Sequence, residues 1–148
     1  MLPKFFIRSQ GLRKLYGALF TPLLEQYGLT QLEADIILFL ANNPAYDTAR
    51  DMVEKRHLAK SHVSVGVDRL ADRGLLERFY REGNRKVIHL RLLPEAEEIV
   101  SAGRAVQRRY GELLFQGFSQ GEKDQLAALL DRIGQNVDGA IASLEERN

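Results

Sequence analysis

The segment from His57 to Arg91 constrains this chain more than any other, because a helical and a strand periodicity follow one another there without a break. From about Lys60 to Arg73 the residues Val63, Val67, Leu70 and Ala71 fall on one helical face. Leu75 to Arg81 and Lys86 to Leu92 then read as strands, with Ile88, Leu90 and Leu92 facing inward and His89 and Arg91 facing water. Ahead of them a short helix runs through Met52 and Val53 to about Arg56, and His57-Leu58-Ala59 forms a turn. A helix, a turn, a longer helix and a two-stranded hairpin with the tip Glu82-Gly83-Asn84-Arg85 is the winged helix-turn-helix plan. In that plan the second helix can enter a major groove of DNA while the hairpin reaches adjacent phosphates or the minor groove.

Charge points the same way. Residues 55–91 carry ten Lys and Arg against four acids, a net +6, whereas residues 1–54 sum to −1 and residues 92–148 to −4. The overall +1 therefore conceals a basic segment between two acidic ones, the electrostatic footprint of a nucleic-acid binder.

Composition narrows the remaining classes. A chain of 148 residues, 45% hydrophobic and 28% charged, is long enough for one domain with a core and ordinary in make-up for a folded protein. The absence of cysteine excludes disulfides, thiolate metal sites and thiol redox chemistry. The longest unbroken apolar run, Ile36 to Ala41, falls far short of the roughly 20 residues a membrane helix requires. Met1-Leu2-Pro3-Lys4 leads into no apolar stretch of signal-peptide length, and a cytoplasmic location is expected. With no Gly-rich phosphate loop and no convergent polar cluster, an enzyme is not expected, nor a cofactor. His57, His62 and His89 have no spacing of a recognised zinc site, so no metal is expected either.

Along the chain, Leu12, Leu15, Tyr16, Leu19, Phe20, Leu23, Leu24 and Tyr27 form a helical stripe within residues 5–27, in which Pro22 should cause a bend. Gly28 suits a left-handed helix end, and Thr30-Gln31-Leu32-Glu33 reads as a capping box for a helix burying Ile36, Ile37 and Leu40. Asn42-Asn43-Pro44 stops that helix, and Asp47-Thr48 offers the next N-cap, with Asp51 in the first turn. Gly66, inside the proposed recognition helix, reads as a close-packing site. After Pro94 a helix runs from Glu95 to about Phe115. Ser119 and Glu122 make a second capping box, opening a helix with the stripe Leu126, Leu129, Leu130, Ile133, Val137, Ile141 and Leu144. The expected architecture is mainly α with a small β-hairpin wing (α+β): one domain over 1–148, a winged lobe at 30–92, and helices at 5–27 and 95–147 suited to dimerisation. An intramolecular bundle of those helices is the alternative.

Several short stretches, in order, resemble the multiple-antibiotic-resistance regulator (MarR) family of bacterial transcription factors. They are Tyr27-Gly28-Leu29-Thr30, Lys60-Ser61-His62-Val63-Ser64 with Val67-Asp68-Arg69-Leu70, Arg73-Gly74-Leu75-Leu76-Glu77-Arg78, and Phe118-Ser119 to Glu122 before Leu129-Leu130-Asp131-Arg132-Ile133. The resemblance implies a homodimer with interlocked N- and C-terminal helices that binds pseudo-palindromic operators, a repressor released by a small aromatic or anionic effector held between its lobes. The chain departs from the family pattern where the wing commonly reads Asp-Arg-Arg and here reads Asn84-Arg85-Lys86, which should loosen the wing. Ala59 stands where a capping residue is usual, Val65 stands where a basic residue is common, and Leu92-Leu93-Pro94-Glu95-Ala96 replaces the usual Leu-Thr-x-x-Gly.

Specific roles follow. Ser61, His62, Ser64 and Val65 are the candidates for base contacts, Val65 toward a thymine methyl, with Lys60 and Arg69 on phosphate or base. In the wing, Arg85 is the candidate for the minor groove, Arg81 and Lys86 for phosphates, and Asn84 lies at the tip. The helix-start amides at Thr48 and Lys60 should point outward to phosphates, and Asp68 should brace Arg85 or Arg69. Tyr16, Phe20 and Phe39 are candidates for an effector pocket, although such aromatics are more often core. The competing reading is a winged helix that contacts only protein or RNA.

Overall fold

The computed structural model describes all residues, Met1 to Asn148. It contains helices α1 (Leu2–Tyr27), α2 (Gln31–Asn42), α3 (Ala49–Arg56) and α4 (Lys60–Asp72), strands β1 (Leu76–Arg81) and β2 (Asn84–Leu92), and helices α5 (Glu97–Leu114) and α6 (Gln120–Glu145). A single 3-10 turn, Pro94–Ala96, leads into α5. The fold is the mainly helical winged arrangement expected from the sequence, and no helix is long and apolar enough to cross a membrane. By internal contacts the chain divides into two units, residues 1–110 and 111–148.

In the first unit α2 is the centre. Glu33, Ala34 and all of Ile36 to Leu40 are buried, so this helix is covered on nearly every side. Phe20 and Leu23 of α1, Met52 of α3, Val63, Val67 and Leu70 of α4, Leu76 of β1, Leu90 of β2 and Ile99 of α5 complete the core around it. Two glycines let neighbouring helices approach α2. A Cβ on Gly66 of α4 would lie 2.7 Å from Ile36 Cδ1, and one on Gly103 of α5 would lie 2.8 Å from Leu38 Cδ2. Gly66 is thus the close-packing site its place in the helix suggested.

Local chemistry sets the helix ends. Gly28 closes α1 in the left-handed region at φ 62°, and Leu29 N–H returns to Leu24 O at 3.0 Å. Thr48 and Asp51 form a reciprocal capping box on α3, and Ser119 and Glu122 form another on α6. At α2 only half of the expected box exists. Thr30 Oγ1 accepts from Glu33 N–H at 3.1 Å, but the Glu33 carboxylate is buried and lies 4.0 Å from Arg69 of α4. Pro22 sits inside one uninterrupted helix rather than at a break.

The wing departs from a regular hairpin. Leu76 to Phe79 pair in antiparallel register with Leu92 to His89, but the next pair is Arg81 with Asn84. Tyr80 is therefore opposed by four residues, 85–88, and the turn is only Glu82-Gly83, with Gly83 at φ 75°. Ile88 falls in this irregular stretch and is 45% exposed, while Leu90 is buried as expected. His89 is not on a wet face: its side chain is 13% exposed and its Nδ1 lies 2.7 Å from Asp47 Oδ1.

In the second unit the residues after α5 turn at Gly117, φ 82°, with the rings of Phe115 and Phe118 edge to face at 5.7 Å. α6 has no buried residue, and Leu129, Leu130, Ile133, Val137 and Leu144 of its apolar stripe are each more than 40% exposed.

Candidate nucleic-acid interface

Burying Val63, Gly66, Val67 and Leu70 of α4 against the core leaves Lys60, Ser61, His62, Ser64, Val65, Asp68 and Arg69 exposed on its outer faces. Val65 is half exposed, a large apolar side chain with no intramolecular cover. No side chain caps the start of α4, since Ala59 has none to offer. The first-turn N–H groups, which helix geometry leaves without carbonyl partners, are therefore open to an outside acceptor at the positive end of the helix dipole. α3 differs here: the Thr48 N–H donates to Asp51 Oδ2 at 3.1 Å, so this amide is occupied by the capping box and does not point outward to a phosphate.

Most cations of the basic segment are committed internally. Arg73 donates to Tyr27 O and Gly28 O at 2.6 and 2.9 Å, satisfying carbonyls at the end of α1. Arg78 pairs with Asp68, Arg91 with Glu77 at 2.9 Å, and Arg81 with Asp47 at 2.9 Å. Asp68 thus braces the recognition helix to the root of the wing through Arg78, not through Arg85 or Arg69. Arg78 lies ten residues downstream on the facing strand, close enough to reach back to α4. Lys55 lies 4.8 Å from the centre of the Tyr46 ring. Lys55, Arg56, Lys60, Arg85 and Lys86 have no carboxylate within ion-pair distance, and the last three stand at the open start of α4 and at the wing tip. Between α3, α4 and β2 lies a cavity of about 600 Å³ floored by Ala49, Val53, Val67 and Leu90, with Lys60 and Arg78 among its walls.

The tip has its own order. Asn84 Oδ1 accepts from Lys86 N–H at 2.9 Å, and the Arg85 guanidinium lies 5.8 Å from the centre of the Tyr80 ring. The amide that stands in place of a bracing acid therefore organises its own turn. Carboxylates that hold the hairpin come from outside the tip: Asp68 on α4 and Asp47 on the turn before α3. In the sequence Asp47 is marked only as a possible cap beside Thr48. Its partner His89 is 42 residues away, and no local pattern connects them.

The aromatic candidates separate. Phe20 and Phe39 belong to the core, 0% and 6% exposed. Tyr16 is half-buried, its ring 4.6 Å from Phe20 and 5.1 Å from Tyr110, and its hydroxyl accepts from Gln107 Nε2 at 3.3 Å. Burial raises the Tyr16 phenol above its usual range, against a smaller lowering by the Gln107 hydrogen bond. Burial likewise raises Asp35 of α2, opposed by the Gln31 side-chain bond at 3.1 Å and by the charge of Arg56. No group of three or more His, Asp or Glu side chains is arranged to hold a metal ion.

Among known proteins, residues 27–85 match the model of the MarR family. A MarR family transcriptional regulator from Listeria monocytogenes, complexed with a 26mer DNA, matches 100% of this chain and 95% of its own at TM-score 0.80 and 14% identity. A MarR family regulator from Silicibacter pomeroyi matches 93% of this chain and 90% of its own at TM-score 0.75 and 19% identity. The S. aureus MepR–DNA complex matches 89% and 91% at TM-score 0.68 and 18% identity. At such identities the likeness to these structures is one of fold. No curated protein matches the sequence.

Proposed function

We propose that this chain, whose residues 27–85 match the MarR family model, is a sequence-specific DNA-binding transcriptional regulator of that family, not an enzyme. The observation that carries the reading is the sorting of its cations. Arg73, Arg78, Arg81 and Arg91 are spent on internal partners, while Lys60, Arg85 and Lys86 remain at the uncapped start of α4 and at the wing tip. Those are the two places from which a winged helix meets a major groove and the phosphates beside it. In this reading Ser61, His62, Ser64 and Val65 face base edges, Arg69 faces phosphate or base, and Asn84 shapes the tip that carries Arg85 and Lys86. Arg81 and Thr48 stand at the margin of the interface with their polar groups already engaged. Solved structures of like fold in complex with DNA support DNA binding.

The protein acts as a homodimer on a pseudo-palindromic operator, repressing in the cytoplasm. The exposed stripe of α6 and the exposed Leu2, Phe5, Phe6 and Ile7 of α1 support dimerisation, because apolar surface on this scale is covered by a partner in a stable protein. A small aromatic or anionic effector would act beside Tyr16, the one of the three aromatic candidates that is not wholly core.

Selection from random duplex DNA at two salt concentrations tests the function. The expected product is an inverted repeat with half-sites about 34 Å apart and affinity falling steeply with salt. Weak, sequence-blind binding, or a preference for RNA or protein, would overturn it.

A further inference from the structure

We propose that Asp47 is the positioning residue of the wing: it sets the direction in which the hairpin tip presents Arg85 and Lys86, and thereby the wing's share of DNA binding. The inference rests on the DNA-binding reading above and adds a residue that itself faces no DNA.

Asp47 stands one position before Thr48, the capped start of α3, so its own backbone is fixed to a helix end. From there it makes three bonds to the wing. Its carbonyl accepts from Leu90 N–H at 2.7 Å, its Oδ1 lies 2.7 Å from His89 Nδ1, and its Oδ2 accepts from Arg81 Nη2 at 2.9 Å. The two side-chain partners straddle the fault in the hairpin. His89 belongs to the last regular pair, Phe79 with His89, and Arg81 to the first pair of the tip, Arg81 with Asn84. One carboxylate therefore bridges the stretch in which the ladder provides no register.

A two-stranded ribbon with four residues opposing one would otherwise swing at that point, because a bulge bends and twists the strand that carries it. Asp47 and His89 are 18% and 13% exposed at their side chains, so the hydrogen bond between them is less screened than an ordinary surface pair, while Arg81 is 61% exposed and is held at its Asp47 end alone. Phe79 adds a platform, with the Arg91 guanidinium 4.3 Å, the His89 ring 5.4 Å and the Arg81 guanidinium 5.9 Å from its ring centre. The Asp68–Arg78 pair cannot substitute, because Arg78 pairs with Leu90 in the regular root and controls nothing beyond the fault.

The test is a double-mutant cycle on duplex DNA bound by the wild-type protein. Asp47→Ala should weaken binding by about tenfold at low salt and flatten the salt dependence, as lost phosphate contacts do. In a background already carrying Arg85→Ala and Lys86→Ala, the same substitution should change affinity by less than about twofold. An equal loss in both backgrounds would overturn the proposal, since Asp47 would then act on the fold as a whole. A second arm needs no DNA: in Asp47→Ala and in Arg81→Ala, amide hydrogens of Arg81 and Lys86 should exchange faster, while Val67 and Leu70 of α4 keep their protection. Unchanged exchange at the tip refutes the anchor whatever the DNA result. A wild-type protein that binds no duplex overturns the DNA reading and the role in binding, and the exchange arm tells that failure from failure of the anchor.

Discussion

Gly66→Ala should destabilise the protein when residue 36 is isoleucine and stabilise it when residue 36 is valine. Replacing glycine within a helix gains about 1 kcal/mol of helix propensity. Against that, the new Cβ would stand 2.7 Å from Ile36 Cδ1. Carbon atoms rest at about 3.5–4.0 Å, so the methyl would have to retreat by roughly an ångström. Ile36 is 1% exposed on a helix covered on nearly every side, and its terminal methyl has little room to turn into. Overpacking of this kind costs about 1–3 kcal/mol, which leaves the single substitution about 0–2 kcal/mol unfavourable. Ile36→Val deletes the offending methyl at a cost of about 0.5–1.5 kcal/mol. The nearest remaining atom is then Leu32 Cδ2 at 3.8 Å, an ordinary contact, and alanine should contribute its full propensity gain. The predicted coupling between the two sites is thus about 1–3 kcal/mol. Urea unfolding of the four proteins, at one protein concentration and with equal slopes, measures it. The same change for Gly66→Ala in both backgrounds, within about 0.5 kcal/mol, would refute the packing argument.

Three further outcomes are expected. Asp35→Asn should raise stability at neutral pH, because burial raises the folded carboxyl above its ordinary 3.8 and ionising it works against the fold; the gain should vanish as pH falls below that value, and a gain independent of pH would be inconsistent with this cause. Arg85→Ala should weaken DNA binding at every sequence and reduce the salt slope by about one, whereas an unchanged slope would remove Arg85 from the phosphate and minor-groove contacts. Asp68→Ala and Arg78→Ala should each weaken DNA binding to the same degree, the double substitution costing no more than either. Both side chains are well exposed, so unfolding free energy should shift by less than about 1 kcal/mol, and additive losses in binding would contradict the brace.

What was legible in the sequence is what short-range chemistry decides. Gly28, Thr48 with Asp51 and Ser119 with Glu122 announce helix ends within a few residues of themselves, and they mark those ends in the fold. The inward face of α4 follows from spacing alone, whereas spacing marked only Ile36, Ile37 and Leu40 of an α2 that is buried on nearly every side. Long-range partners were not legible. Thr30 and Glu33 have the spacing of a capping box, yet Glu33 turns toward Arg69 because α4 buries it there. A tally of charges cannot foresee that Arg73 serves the carbonyls of α1 or that Arg81 is claimed by Asp47. Strict alternation in β2 placed Ile88 inward and His89 outward; the shift in register undid the first, whereas His89 keeps its place in the regular ladder and is drawn against Asp47, 42 residues away. Phe20 and Phe39 illustrate a further limit: an aromatic on a helical stripe reads alike whether it lines a pocket or fills a core, and here both fill the core.

The four residues that face Tyr80 alone give the wing an unusual freedom. No pair between Leu76 and Phe79, and no core side chain behind them, takes its position from residues 85–88. That stretch can lengthen, shorten or exchange its side chains over generations while the lobe that carries it stays as it is. A lineage can therefore retune the reach and charge of its wing by small insertions, with selection acting on the operator it meets and not on the stability of the fold.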